Sequence, residues 1–328
     1  MNKNCDTIMY LLNNYEVNRK KIINDKENVN FINTFVSNIY VINLDTDYIR
    51  RNYICVLMEK YKINYELIIV KRPDENQINI IKKINPDLTN GEIGCYLSHM
   101  YCYYDATLHT YNNIIIFEDD IIMHKNFNNL FEKTIKLQNY DILMLGASDF
   151  NFRKINRKFL DKTKNIYKPQ LSTIFLYGAH AIFFSLKAYT EVFKNRLDTP
   201  TFIDKNFIQF CKSFNNSFYI CFPSIVVPEL STSSLNHNFG IENVKNDSYY
   251  FKNCYNNSFN FTDYNFIYLK IVDLCLVNKD LTYEENIVYA LNTFFRNNGC
   301  VNIIKIKMRL NYDFFTNNDL IYILDKNK

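Results

Sequence analysis

An apolar run that ends in three consecutive acids is the feature that most constrains how this chain can fold. Residues 114–117 read Ile-Ile-Ile-Phe, and residues 118–120 read Glu-Asp-Asp. A short apolar run of this kind is typical of a strand buried on both faces, as in a parallel sheet covered by helices. In open α/β sheets, ligands bind beyond the carboxyl ends of the strands. The sequence therefore predicts an α/β fold with a ligand-binding edge at the three acids.

A structural role for the acids stays open at this point. Asp119 or Asp120 could cap a helix that is predicted to begin near Asn126, or could interact with the positive end of its dipole. One acid would suffice for capping, whereas three adjacent acids favour a binding function.

The segments on either side of the acids predict an alternation of strands and helices. Thr89 and Glu92 have the spacing of a capping box, which marks the start of one helix. The alternation is typical of a mixed, mainly parallel sheet flanked by helices. The predicted strands are residues 39–44, 66–70, 114–117, 141–145, 173–176, 181–185 and 218–227, and the predicted helices are residues 49–61, 89–109, 186–196 and 203–213.

Three parts are predicted along the chain. Residues 1–37 form an N-terminal helical extension, because Met9, Leu12 and Val17 have helix-compatible spacing. Residues 38–235 form the central α/β domain, and residues 236–328 form a C-terminal extension of unknown role that is expected to pack on it.

The composition excludes some classes of partner and location. The net charge of +4 comes from 38 basic and 34 acidic residues that are scattered along the chain, which disfavours nucleic acid as a partner. The nine cysteines include no CxxC pair, which favours reduced thiols. No apolar stretch has the length of a membrane span or the form of a secretory signal, so a soluble cytoplasmic protein is expected. The sequence indicates no oligomeric state.

Four blocks of sequence, taken together, resemble a known enzyme family. They are residues 40–45 with the following Arg50 and Arg51, the run Gly-Glu-Ile-Gly-Cys-Tyr-Leu-Ser-His at residues 91–99, the acids at 118–120, and Gly-Ala-His at residues 178–180. In this order and spacing they closely resemble glycosyltransferase family 25 over about residues 38–235. That family includes lipooligosaccharide galactosyltransferases and collagen hydroxylysine galactosyltransferases.

The resemblance implies a GT-A fold, a nucleotide-sugar donor, a divalent cation and inversion at the anomeric carbon. The chemistry agrees with this, because a departing diphosphate accumulates negative charge that a hard cation held by carboxylates can neutralise. The implied cofactor is Mn²⁺ or Mg²⁺, and the implied donor is a UDP-sugar.

The resemblance also implies roles for individual residues. Asp120 would bind the metal directly, and Glu118 or Asp119 would contact the ribose or a metal-bound water. His237 is a further candidate metal ligand, near residues 231–234, where Ser-Thr-Ser-Ser replaces the Ser-Asp pair common in the family. The candidate donor-binding residues are Asn43, Arg50, Arg51, Ser98, Glu118, Asp119 and His180.

Several of these residues also have structural interpretations. Arg50 and Arg51 could be solvated charges on a helix surface, and Glu92 could act only as the capping partner of Thr89. His99 and His180 could be core histidines.

An inverting transferase also needs a base that deprotonates the acceptor hydroxyl. The predicted base is Asp204, which loosely matches a proline-x-aspartate region of the family. Asp204 could instead cap a helix that begins near Lys205.

The sequence thus predicts an inverting, metal-dependent transferase that moves galactose or glucose from a UDP-sugar to a saccharide or hydroxylysine acceptor. One alternative is an inactive relative that binds or adheres, although its acid triplet would then be expected to be broken. Another is a metal-dependent phosphohydrolase, which the sequence disfavours because no second carboxylate and histidine cluster is evident.

Overall fold

A computed structural model describes residues 3–24, 30–147, 160–161, 166–168, 178–203, 217–222 and 224–228. The strands are β1 (Val17–Ile22), β2 (Asn38–Leu44), β3 (Tyr65–Val70), β4 (Asn113–Glu118), β5 (Ile121–Met123), β6 (Ile142–Met144), β7 (Leu160–Asp161), β8 (Ile166–Tyr167), β9 (Ala181–Ser185), β10 (Phe218–Cys221) and β11 (Val226–Pro228). The helices are α1 (Lys3–Asn13), α2 (Phe31–Phe35), α3 (Tyr48–Lys60), α4 (Glu75–Ile84), α5 (Asn90–His109), α6 (Phe127–Ile135) and α7 (Leu186–Asp198).

A mixed sheet forms the centre of the described residues, with the strand order β1-β3-β2-β4-β9-β6-β10-β8-β7. Strands β3, β2 and β4 are mutually parallel, as are β6 and β10, and β9 lies antiparallel between β4 and β6. A second, two-stranded sheet pairs β11 with β5. The predicted α/β class with a mixed sheet is confirmed.

Strand β4 is buried on both faces, as its sequence predicts. Ile114 and Ile116 pack in a core cluster with residues of α5 and α7, whereas Ile115 and Phe117 pack in a second cluster with residues of α3 and α6. All four side chains are completely buried, and burial of each such side chain contributes about 1.5–3 kcal/mol. The apolar run therefore anchors the acids that follow it at a fixed edge of the sheet.

The register of β2 and β4 brings their carboxyl ends together. Ile42 lies opposite Glu118, so Asn43 and the start of α3 lie just beyond the acids. Helix α5 covers the same part of the sheet and begins with the predicted capping box, in which the Glu92 side chain accepts a hydrogen bond from Thr89 N at 2.7 Å. This arrangement sets β2, α3, β4 and α5 around one edge.

The N-terminal segment is only partly helical, so its description as a helical extension is wrong in part. Helix α1 is confirmed, but Val17 begins β1, which pairs antiparallel with β3 at the edge of the main sheet. Arg19 on β1 forms ion pairs with Glu66 at 2.7 Å and with the buried Asp105. These partners, distant in sequence, stabilise a strand of which three of the six residues are charged. The boundaries between the three predicted parts stay predictions.

Residues 218–227 and 75–84 also differ from the sequence-based expectation. The run 218–227 forms two strands in different sheets, because the chain crosses after β10 and Ile225 N donates to Leu145 O at 2.8 Å. Helix α4 was not predicted, although Asp74 and Gln77 form a capping box at its start.

Three predicted segments lie outside the described residues: the strand 173–176, the helix 203–213 except for its first residue, and the extension 236–328. Among the described helices, none is long and apolar enough to cross a membrane.

Gly146 lies where the end of β6 meets β11. A Cβ atom at this position would lie 1.8 Å from the carbonyl oxygen of Val226, which is backbone and cannot rotate away. At Gly94, inside α5, the nearest atom to an added Cβ would be Pro73 Cδ at 3.3 Å. The two glycines therefore differ sharply in how much room surrounds them.

We expect Gly146→Ala to lower the free energy of unfolding by about 1–3 kcal/mol, because the two backbones must separate to admit the methyl group. Gly94→Ala is the matched control and should change it by less than about 1 kcal/mol, since alanine favours a helix and offsets the close contact. Chemical denaturation of both variants measures the difference. Equal stabilities would contradict the close approach of β6 and β11.

Candidate functional site

The three acids occupy the turn between β4 and β5. Glu118 is the last residue of β4, and Asp119 and Asp120 form the connection to Ile121 at the start of β5. Helix α6 begins after β5, with Asn126 at its N-cap position. The alternative that Asp119 or Asp120 caps this helix is therefore wrong.

Asp119 is held by residues from β2 and α3. Asn43 Nδ2 donates a hydrogen bond to Asp119 Oδ2 at 2.6 Å, and Arg50 Nη1 donates to Asp119 Oδ1 at 3.3 Å. Burial raises the pKa of Asp119 to about 6, although Arg50 and Asn43 act in the opposite direction. The fold thus keeps a carboxyl group in a place where ionisation is costly.

Arg50 is the counter-ion of the cluster. Its Nη1 atom lies 3.3 Å from Asp119 Oδ1 and 3.4 Å from Asp120 Oδ2. Its Nε atom lies 3.6 Å from Asp47, the N-cap residue of α3. Because Arg50 is only 8% exposed, the alternative that it is a solvated surface charge is wrong.

Arg51 binds Asn43 and backbone carbonyl groups. Its Nε atom donates to Asn43 Oδ1 at 2.7 Å, and its Nη2 atom donates to the carbonyl oxygens of Leu44 at 3.3 Å and Asp45 at 2.5 Å. With Asn43 Oδ1 accepting from Arg51, the amide nitrogen of Asn43 faces Asp119. Arg51 therefore orients Asn43 rather than facing the acids itself.

Glu118 turns towards α5. His99 Nε2 lies 3.0 Å from Glu118 Oε1, and Cys95 Sγ lies 3.7 Å from the same oxygen. Burial opposes ionisation of Glu118, but the hydrogen bond from His99 and the electrostatic interactions with His99 and His180 outweigh it and lower the pKa of Glu118. The three acids thus have different partners, and Glu118 is the one bound to the helix.

His180 is fixed to the end of β4 through its backbone. Its carbonyl oxygen accepts a hydrogen bond from Glu118 N at 2.9 Å, and its side chain is only 1% exposed. Burial lowers the pKa of His180 to about 4, against the opposing effects of Glu118 and the Val226 backbone. The imidazole is therefore neutral near pH 7. The turn before His180 contains Gly178, whose φ of 105° is a conformation that favours glycine.

The remaining predicted site residues do not join this cluster in the described part of the chain. Ser98 is buried, donates to Gly94 O at 2.7 Å and lies 3.3 Å from Tyr15 Oη, so its contacts are internal. Asp204 and His237 lie outside the described residues. The contact of Cys95 with Glu118 was not predicted, although its spacing of four residues from His99 places both on one face of a helix.

The donor set at this edge suits a hard divalent cation. Glu118, Asp119 and Asp120 supply carboxylate oxygens at one strand end, which are the ligands that Mn²⁺ and Mg²⁺ prefer. Arg50 contacts Asp119 and Asp120, whereas Glu118 contacts His99.

We expect Arg50→Gln to lower the free energy of unfolding at pH 7 by about 3 kcal/mol, because it leaves buried carboxylates without their counter-ion. The comparison is made by chemical denaturation in the presence of a metal chelator. Arg72→Gln, at an exposed arginine, is the control and should change the stability by less than about 0.5 kcal/mol.

The loss of stability in Arg50→Gln should also depend on pH. The folded state holds the proton of Asp119 up to about pH 6, whereas an unfolded aspartate releases it near pH 4. Lowering the pH from 7 to 5 therefore stabilises the folded state through this group. Loss of Arg50 raises that pKa further, so the deficit of the variant should shrink at pH 5. A deficit that is equal at both values would contradict the pairing.

Comparison with known proteins finds similarity over part of the chain. Residues 36–191 match the family model described as glycosyltransferase family 25 (LPS biosynthesis protein). A putative glycosyltransferase of Haemophilus influenzae is 33% identical over 135 residues, which cover 39% of this chain and 48% of that protein. The lipooligosaccharide biosynthesis protein lic2B of Haemophilus influenzae is 30% identical over 92 residues, which cover 26% of this chain and 35% of that protein.

The matched region is limited in extent. The chain spans about half or less of the length of these two relatives. The crystal structure of mouse xyloside xylosyltransferase 1 in its apo form is matched over 67% of this chain and 93% of that chain, with 10% identity and a TM-score of 0.32. The family match contains Asn43, Arg50, the acid triplet and His180. Residues 36–191 of this chain are therefore similar to glycosyltransferase family 25.

Proposed function

We propose that the protein is an inverting, metal-dependent glycosyltransferase that moves galactose or glucose from a UDP-sugar to an acceptor. The observation that carries this proposal is the convergence of the three acids of β4 with Asn43 and Arg50, inside the region that matches family 25. The acceptor is a saccharide or a hydroxylysine residue. The biosynthetic role named for the lic2B relative favours a saccharide.

Asp120 would hold Mn²⁺ or Mg²⁺, together with Glu118 or through a water bound by Asp119. The cation would neutralise the charge that develops on the departing diphosphate. The neighbouring carboxylates of Asp119 and Asp120 support this assignment, since hard oxygen ligands favour such an ion. His237 would complete the ligand set.

Arg50 and Asn43 would act on the donor from the β2 side. A guanidinium can pair with a phosphate through two parallel hydrogen bonds, and Arg50 already lies at the edge where the acids end. Arg51 keeps Asn43 turned towards Asp119, which leaves Asp119 in a fixed position to meet the ribose. His180, neutral and buried, would line the donor pocket beside Glu118.

Acceptor activation requires a base on the side of the sugar opposite the diphosphate. We assign this role to Asp204, which would take the proton of the acceptor hydroxyl as that oxygen attacks the anomeric carbon. A binding protein without catalysis is the alternative function, and it would need no base at all.

We expect Asp120→Asn to lower the turnover of a UDP-sugar by about 100-fold or more, because an amide is a much poorer ligand for the cation and cannot offset its charge. The variant should keep its fold, as circular dichroism would show. The assay measures UDP release from UDP-galactose and UDP-glucose with Mn²⁺, with and without saccharide acceptors.

Asp87→Asn, at an exposed aspartate on the loop before α5, is the matched control and should keep full turnover. Normal turnover in Asp120→Asn would remove Asp120 from the site. UDP binding by the wild-type protein without release from either donor would favour the binding function.

Asp204→Asn should separate catalysis from donor binding. We expect turnover to fall by about 100-fold or more, because general-base catalysis contributes about 10²- to 10⁴-fold, while the affinity for UDP stays unchanged. Calorimetry with UDP and Mn²⁺ measures the binding. A variant that keeps its turnover would exclude Asp204 as the base.

A further inference from the structure

We propose that Cys95, His99 and Glu118 form a binding site for a thiophilic divalent cation, with Zn²⁺ as the best fit. The metal proposed to bind with the UDP-sugar is a hard ion held mainly by carboxylate oxygens, so this would be a different site for a different ion. It shares Glu118 with the acid triplet, where the UDP-sugar is proposed to bind, but the zinc site does not require the protein to be a transferase.

The three ligand atoms already lie close together. Cys95 Sγ, His99 Nε2 and a carboxylate oxygen of Glu118 all lie within 4.8 Å of one another, with His99 Nε2 at 3.0 Å and Cys95 Sγ at 3.7 Å from Glu118 Oε1. Ligand bonds to zinc of about 2.0–2.3 Å in a tetrahedral arrangement imply separations of about 3.3–3.7 Å between ligand atoms. Small side-chain movements would therefore admit the ion.

The secondary structure holds the ligands in place. Cys95 and His99 are four residues apart on α5 and lie on one face of that helix, and Glu118 ends the buried strand β4. His99 is 1% exposed, whereas the Glu118 side chain is 29% exposed and Cys95 is partly exposed. The site thus has a rigid inner side and an outer side that an ion and a water molecule can reach.

The chemistry of the three ligands selects the ion. A thiolate and an imidazole favour Zn²⁺ over Mn²⁺ or Mg²⁺, and three protein ligands with one open position are common in zinc sites that are not purely structural. Binding releases the thiol proton of Cys95 to solvent. Coordination of the ion through His99 Nε2 requires that this nitrogen carry no proton, so the ion replaces its hydrogen bond to Glu118.

Zinc bound at this site would remove Glu118 from the proposed metal site at Asp120. Glu118 bound to Zn²⁺ is directed towards α5 and is not available to the cation at Asp120. If the proposed function holds, Zn²⁺ should inhibit transfer supported by Mn²⁺, and Cys95→Ser should reduce that inhibition. This consequence rests on the proposed function, whereas the binding of Zn²⁺ does not.

The test measures metal binding rather than activity. Co²⁺ added to the reduced full-length protein should produce a thiolate-to-cobalt charge-transfer band in the near ultraviolet, and Zn²⁺ should displace it. Cys95→Ser should lose the band and bind Zn²⁺ more than about 10-fold more weakly, since even outer-shell partners contribute about 10- to 100-fold to affinity. Cys55→Ser is the matched control, at another partly buried cysteine, and should bind like the wild type.

A second measurement needs no variant. Cys211, Cys254, Cys275 and Cys300 lie outside the described residues and could bind zinc themselves, so protection from alkylation is mapped to single residues by mass spectrometry. Zn²⁺ should protect Cys95 and leave Cys55 unchanged. Unchanged alkylation of Cys95 in the presence of Zn²⁺ would overturn the proposal whatever the transferase assay shows.

Discussion

The central constraint on this structure is the repulsion among three consecutive carboxylates at the buried end of β4. Like charges this close cannot all remain ionised in a partly buried place unless donors and positive charge converge on them. The donors come from distant parts of the chain: Asn43 from β2, Arg50 from α3 and His99 from α5. The alignment of β2 with β4, and the covering of both by α5, are the conditions under which the acids can exist at this edge.

Local sequence signals predicted the elements that build this edge. The apolar run of β4 predicted a strand buried on both faces, and the spacing of Thr89 and Glu92 predicted where α5 begins, because each signal acts within a few residues. The edge strand β1 lacked such a signal. Its Arg19, Lys20 and Lys21 form no apolar pattern, and it is a strand because it pairs with β3 and because Arg19 meets two acids far along the chain.

The directions of the site side chains could not be read from the sequence for the same reason. Arg50 and Arg51 are neighbours and were assigned the same role, yet one pairs with the acids and the other orients Asn43. Glu118 and Asp119 are also neighbours, and successive side chains at the end of a strand point to opposite faces. Glu118 consequently meets His99 on α5, and Asp119 meets residues of β2 and α3. Which partner each side chain finds depends on packing between elements rather than on sequence neighbours.

Glu118 lies between two sets of partners, and this links the proposed transfer reaction to the proposed zinc site.

The central claim is that the acid edge of β4 holds the metal and the donor nucleotide. A crystal structure of the protein with UDP and Mn²⁺ tests it most directly. The account predicts the cation on a carboxylate oxygen of Asp120 and the diphosphate within hydrogen-bonding distance of Arg50. A nucleotide bound away from residues 118–120, or bound there without the cation, would contradict it.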